Sequence, residues 1–307
     1  LNRYPPQVSE DLISAISKRY SLAKKKIILG NGSDELISIL AQTFLNSEDE
    51  AIYTEFGFLQ FPQAISIAGA KGVVANDVKF TANVDNILSK INKNTKIIFL
   101  ANPNNPTGTF IPKEEVMRLH KLIPSNILLV YDAAYSEYVI DNDYIDGSEL
   151  ADANENVIML RTFSKLHGLA SLRLGWGYAS EKLIDNLMKV RGPFSVNTAA
   201  IMAGVAAIED LEFQNKSIQH NIKWMSWFEK ELKSLNLDFQ SSITNFLLIR
   251  FPNNRYNAQN AESFLASKGI LVRGMKVYGL SNHLRVSIGN EKENLKFIKE
   301  LKAFLAN

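Results

Sequence analysis

The 307-residue chain predicts an α/β fold: a large domain whose mostly parallel sheet is flanked by helices, then a smaller α+β domain. Three observations predict it. Short β-rich runs alternate with helical patterns through the first two thirds of the chain. Several of those runs are continuously apolar, such as Ile97-Ile98-Phe99-Leu100 and Ile127-Leu128-Leu129-Val130, as strands covered on both faces would be. After about residue 197 the alternation gives way to long helices with a few strands.

Taken in order, strands are expected at 26–29, 51–54, 72–75, 96–101, 127–131, 157–161 and 175–179. Helical spacing occupies 34–45, 58–68 and 112–123, the last with Pro112 at a first-turn position where its missing N–H is no loss. Lys24-Lys25-Lys26 reads as a solvated turn before the first strand. Residues 197–210 and 211–235 read as long helices, with Trp224, Trp227 and Phe228 on an apolar face. A strand at 246–251, a helix at 258–268, strands at 270–273 and 283–288 and a helix at 291–305 complete the pattern. The change of pattern divides the chain into 1–197 and 198–307, joined through a long helix. In such sheets ligands collect at the carboxyl ends of the strands.

Composition narrows the function. The 46% hydrophobic and 21% charged content is that of an ordinary globular protein. A net charge of +2 leaves no electrostatic footprint for nucleic acid or an anionic membrane. There is no cysteine, and His120, His167, His220 and His283 are scattered, so no metal site is expected. No apolar run approaches the roughly 20 residues that span a bilayer. The start, Leu-Asn-Arg-Tyr-Pro-Pro, has neither initiator Met nor signal-peptide character, and a cytoplasmic enzyme acting on small molecules is the expectation.

Four segments carry chemistry, in this order: Gly30-Asn31-Gly32-Ser33-Asp34-Glu35, Asn102-Pro103-Asn104-Asn105-Pro106-Thr107-Gly108, Tyr131-Asp132-Ala133-Ala134-Tyr135, and Thr162-Phe163-Ser164-Lys165 with Arg173 beyond it. Lys165 offers an amine that can condense with an aldehyde, while Ser164 and Arg173 can hold a phosphate nearby. Pyridoxal 5'-phosphate needs both. Asp132, at a strand end, can pair with a pyridine nitrogen or simply cap a following helix. Gly32, Ser33 and Asp34 precede a helical pattern whose free N–H groups can cradle an anion, although Ser33 could equally be an ordinary N-cap. Asn105 lies in a tight turn set by Pro106 and Gly108.

This order resembles the fold-type I, pyridoxal-phosphate-dependent aminotransferases. The tail Leu271-Val272-Arg273-Gly274-Met275 and Leu284-Arg285-Val286-Ser287-Ile288-Gly289 narrows the likeness to the histidinol-phosphate aminotransferases, over essentially the whole chain. The resemblance implies that Lys165 binds the cofactor and moves the substrate proton, and that Asp132 faces the ring nitrogen. It assigns Tyr135 and Asn105 to the phenolic oxygen, and Gly32, Ser33, Asp34, Thr162, Ser164 and Arg173 to the phosphate cup. Phe58, or Phe56 in its place, would stack on the ring. Arg273 and Arg285 would bind the substrate's acid group, with Asn245 lining the same substrate-binding region. Tyr4 would reach the phosphate of a partner subunit, making a homodimer with shared sites. Ala133 departs from the family, where a Glu often follows the Asp. The family also carries an arm of several dozen residues ahead of Asn2-Arg3-Tyr4-Pro5, which crosses to the partner and helps enclose the substrate.

The implied reaction is transamination of L-histidinol phosphate with 2-oxoglutarate. Threonine-phosphate decarboxylation and aromatic or broad-range transamination are its rivals on the same scaffold. A non-catalytic nucleotide-binding protein using Gly30-Asn31-Gly32 is a remote alternative, since Glu35 stands where a dinucleotide-binding turn needs its third glycine.

Overall fold

The apolar runs become neighbouring strands of one sheet. The computed structural model describes residues 2–252 and 254–306. The chain divides into two compact units: the chain up to Asn104 with Phe110–Asn215, and Asn105–Thr109 with the chain from Lys216 onward. The division falls later than 197/198 because the helix Thr198–Glu209 packs on the helix Glu10–Tyr20 of the larger unit.

The larger unit runs α1 (Glu10–Tyr20), β1 (Ile27–Gly30), α2 (Ser33–Phe44), β2 (Glu50–Thr54), α3 (Gln60–Ile67), β3 (Lys71–Ala75), α4 (Val84–Leu88), β4 (Thr95–Ala101) and α5 (Lys113–Leu122). It continues with β5 (Leu128–Asp132), α6 (Ser148–Ala153), β6 (Val157–Thr162), β7 (Gly175–Ala179), α7 (Glu181–Val190) and α8 (Thr198–Glu209). The strand order is β1-β7-β6-β5-β4-β2-β3. Strands β3, β2, β4, β5 and β6 are parallel; β7 runs antiparallel to both β6 and β1.

Alternation along β4 shows how both faces are covered. Ile98 and Leu100 join a core with Leu12 of α1, Val116 of α5 and Ala200 of α8. Ile97 and Phe99 point the other way, to Leu36 of α2, Phe61 of α3 and Leu183 of α7. Each fully buried leucine, isoleucine, valine or phenylalanine among them contributes about 1.5–3 kcal/mol. Caps fix where helices start: Ser9 accepts from Leu12 N at 3.4 Å and Ser180 from Leu183 N at 3.3 Å.

Pro112 is a cap residue rather than part of the first turn, because its ψ of 159° is extended and the helix begins at Lys113. Lys24–Lys26 forms a single 3-10 turn, whose Lys26 pairs with Asp152 at 2.8 Å.

The smaller unit contains most of α9 (Leu211–Ser234), then β8 (Asp238–Gln240), β9 (Phe246–Arg250), α10 (Ala258–Ser267), β10 (Arg273–Gly274), β11 (His283–Ser287) and α11 (Glu291–Ala306). Its antiparallel sheet, ordered β10-β11-β9-β8, shares a core with Phe228, Leu265 and Phe297 of the helices. The strand expected at 270–273 starts only at Arg273. Residues 269–270 are still closing α10, with Gly269 at φ 70° and Ile270 N bonded to Leu265 O at 2.9 Å.

Candidate active site

Four parallel strands deliver their carboxyl ends side by side, and the loops leaving them carry the predicted residues. Asp132 is the last residue of β5 and is 4% exposed. Its Oδ1 accepts from Ala134 N at 3.1 Å. Burial pushes its carboxyl up to about 7, against the Ala134 N–H and the charge of Lys165, which lower it; Asp34 adds to the rise. The cap reading fails here, because the 3-10 turn Ser136–Tyr138 that follows has Tyr135 at its cap position.

Lys165 leaves the end of β6 in a loop closed on itself: Thr162 Oγ1 accepts from Ser164 N at 3.1 Å, and Gly168 N donates to Lys165 O at 3.1 Å. Its Nζ lies 5.2 Å from the centroid of the buried Tyr135 ring. Lys165, Asp132 and Tyr135 therefore converge, an amine, a carboxylate and a phenol from two adjacent strands.

Beside them is an anion cradle. Helix α2 begins at Ser33, so Ser33 is its first residue and Gly32, at φ 80° and ψ 163°, stands at the cap with no capping side chain. The N-cap reading of Ser33 is thereby corrected. Arg173 adopts the left-handed backbone region at φ 55° and turns its guanidinium over this helix start. Its Nη2 meets Asp34 Oδ2 at 2.8 Å and its Nη1 donates to Ser164 Oγ at 3.4 Å. A Cβ at Gly32 would sit 2.5 Å from Arg173 Nη2. Strand β7 is equally close, since a Cβ at Gly175 would fall 2.3 Å from Ser33 N.

The two candidate aromatic residues part company. Phe58 packs against the core and meets Phe61 edge-on, centroids 5.9 Å apart. Phe56, two residues beyond β2, has its carbonyl held by Asn104 Nδ2 at 3.0 Å, on the loop leaving β4. Tyr4 is 82% exposed, its ring stacked on Phe194 at 4.9 Å.

Within the smaller unit, Arg285 donates to Asn105 Oδ1 and its guanidinium carbon lies 4.9 Å from the Phe246 ring centroid. Arg273 pairs with Arg285 across β10 and β11. Both line a cleft of about 520 Å³ with Ser287 and Asn294. Asn245 uses its carbonyl to accept from Ile288 N at 2.9 Å.

Residues 1–301 match the family model for aminotransferase class I and II. The chain belongs to that family. It is 45% identical over 306 residues to the histidinol-phosphate aminotransferase of Paramagnetospirillum magneticum, covering 99% of this chain and 84% of the relative. The fold of the Sinorhizobium meliloti histidinol-phosphate aminotransferase, solved with pyridoxal-5'-phosphate, superposes with a TM-score of 0.93 at 23% identity, covering 99% of this chain and 83% of that one. L-threonine-O-3-phosphate decarboxylase from Porphyromonas gingivalis gives a TM-score of 0.82 at 20% identity, covering 99% and 91%. The fold alone thus does not separate transaminase from decarboxylase.

The larger unit of this aminotransferase fits pyridoxal phosphate on donor chemistry. The start of α2 has no capping side chain, so its N–H groups, Ser164 and Arg173 offer donors of the kind a phosphate takes. A buried carboxylate stands by for a ring nitrogen, and an amine lies within its electrostatic reach. Sequence reasoning missed Asn104 and Gly175. Glycine inside the strand 175–179 was the available signal for close backbone approach. Among the described residues no helix is long and apolar enough to cross a membrane, and no cluster of metal-ligating side chains occurs.

Proposed function

We propose that this chain transaminates L-histidinol phosphate with 2-oxoglutarate, giving imidazole-acetol phosphate and glutamate, as a cytoplasmic enzyme of histidine biosynthesis. The observation that carries the chemistry is Lys165 lying within electrostatic reach of the buried Asp132, over the ring of Tyr135. The 45% identity over nearly the whole chain supports the substrate.

Pyridoxal phosphate, when bound, supplies an aldehyde for amines and an electron-withdrawing ring for the charge left on Cα. Lys165 Nζ would hold it, then take the proton from substrate Cα and deliver it to the carbon that carried the aldehyde. Asp132 would keep a proton on the ring nitrogen. Its burial makes that service strong, because an isolated carboxylate there gains from a cationic partner. Tyr135 would donate from its hydroxyl to the phenolic oxygen. Asn105 would donate to the same oxygen from Nδ2, while its Oδ1 accepts from Arg285. Ser33, Ser164 and Arg173 would bind the phosphate, with Gly32 giving the clearance, Thr162 shaping the loop and Asp34 orienting the guanidinium.

We assign the ring-stacking role to Phe56, since Phe58 is committed to the core. Arg285 and Arg273 would bind the substrate's acid group through planar, two-pronged donors, with Asn245 lining the same region. The chain would act as a homodimer in which the exposed Tyr4 serves the partner's phosphate.

Glutamate appearing from 2-oxoglutarate with histidinol phosphate, faster than with phenylalanine, tests the substrate. Carbon dioxide released from threonine phosphate without glutamate would replace the transaminase by the decarboxylase. Full turnover in Lys165→Ala would end the mechanism. Light scattering that gives one chain's mass for the active protein would remove the dimer.

A further inference from the structure

Phe56 is clamped from several directions. Its N–H donates to Asp77 Oδ2 at 3.2 Å and its carbonyl accepts from Asn104 at 3.0 Å. The preceding Glu55 donates from its backbone to Ala75 O at 2.9 Å, and its Oε2 accepts from Asp77 N at 3.3 Å. The Phe56 ring rests on Phe80, centroids 5.4 Å apart. Beyond the ends of β2 and β3, the two chain segments are therefore zipped together around one aromatic residue.

Phe80 reaches it from a strained turn. Val78 and Thr81 exchange two backbone hydrogen bonds, of 2.8 and 3.0 Å, around Lys79 and Phe80. Those central residues have φ of 50° and 64°. Positive φ at both marks a type I′ turn, normally built from Asn and Gly. A lysine and a phenylalanine hold that conformation only where the surroundings over-determine it. The surroundings here are the Phe56–Phe80 ring contact and the Asp77 clamp immediately before the turn. Asp77 also keeps Oδ1 buried without a hydrogen bond while Oδ2 serves Phe56. Two local penalties thus converge on holding one ring.

We infer that Asp77 and Phe80 are positioning residues of the aminotransferase reaction, fixing the plane of the Phe56 ring that faces the cofactor. The inference rests on the proposed assignment of Phe56 as that face. A face free to rock would let a flat cofactor rock with it, and misplacement of reacting groups by about 1 Å can cost about a hundredfold in rate.

The test compares holoenzymes of Asp77→Ala, Asp77→Asn, Phe80→Ala and Phe56→Ala by turnover of histidinol phosphate and by visible circular dichroism of the bound cofactor. Asp77→Ala and Phe80→Ala should each lose about tenfold in kcat with an altered dichroic band, while KM moves less than about threefold. Asp77→Asn keeps an acceptor for the Phe56 N–H and should recover most of the kcat and the band. If Asp77→Ala does not yield folded protein, Phe80→Ala carries the test, because it leaves the clamp's hydrogen bonds in place. Parental kcat and dichroism in Phe80→Ala, or no recovery in Asp77→Asn, overturns the inference while leaving Phe56 in its role. Parental behaviour in Phe56→Ala overturns the assignment itself, and the positioning device with it.

Discussion

Arg173 and Asp34 meet at 2.8 Å although 139 positions separate them, which places a guanidinium at the start of α2. Both side chains are partly exposed, at 41% and 43%, so the pair itself adds little stability and its value is orientation. Arg173→Ala should weaken cofactor retention by about 10- to 100-fold, the worth of a charge-assisted hydrogen bond to phosphate. Equilibrium dialysis against pyridoxal phosphate measures it. Arg173→Lys should recover only part, because an ammonium cannot reach Ser164 and a phosphate with one planar fork.

Asp132→Asn removes a charge while keeping shape. The amide can still accept from Ala134 N, so the end of β5 should stay folded. It cannot hold a proton on a ring nitrogen. We expect kcat to fall by roughly 10²–10³, as when a preorganised electrostatic group is lost, with cofactor still bound and its visible band shifted. Stopped-flow single turnovers with histidinol phosphate would locate the loss in proton removal.

Much of this site is legible in the sequence. The apolar runs of β4, β5 and β6 announced strands covered on both faces, so the residues just after them had to lie at a carboxyl-end rim. That logic placed Asp132, Lys165 and the 102–108 turn. It could not place Asp77, whose neighbours Asn76 and Val78 read as ordinary loop, nor the Lys79-Phe80 turn, which has none of the Asn or Gly that marks positive φ. The two aromatic candidates were also inseparable in sequence. Only packing distinguishes Phe58, edge-on to Phe61, from Phe56, held by Asn104 and Asp77. The reversed direction of β7 left no mark either, since an apolar strand reads the same in both directions.

Asp77 gives the protein a pH dependence of definite sign. Burial raises its carboxyl from the ordinary 3.8 to about 7, with Glu55 adding repulsion and the Phe56 N–H opposing the rise. Between those values the folded chain keeps a proton the unfolded chain has lost, so stability falls as pH rises from 3.8 to about 7, and above that the full penalty of the buried charge applies. Asp77→Asn removes the penalty. Relative to the parent it should gain about 1–2 kcal/mol at pH 8, after discounting for partial exposure, and nothing near pH 4. Urea melts at the two pH values give the difference directly.

Gly175→Ala probes the contact between β7 and the cradle. The added methyl would lie 2.3 Å from Ser33 N and 2.6 Å from Gly32 C, both backbone atoms that cannot swing aside. The variant should lose about 3 kcal/mol or more of stability, and retain cofactor poorly because the start of α2 must move. A lowered melting temperature with normal cofactor retention would separate packing from cradle geometry.

Arg273 and Arg285 stand directly opposite each other across β10 and β11, an arrangement of like charges that costs stability unless something anionic comes to it. Arg285 has local compensation from the Phe246 face and Asn105, whereas Arg273 is exposed. Arg273→Gln should therefore raise apo stability by a few tenths to about 1 kcal/mol while raising KM for the acidic substrate. Arg285→Ala should lower stability and raise KM by about 10- to 100-fold, having lost both the ring contact and the substrate's charged partner. Thermal melts and KM measured on the same two variants decide between roles. A KM unmoved in Arg273→Gln, alongside the stability gain, would leave Arg285 alone to bind the acid group.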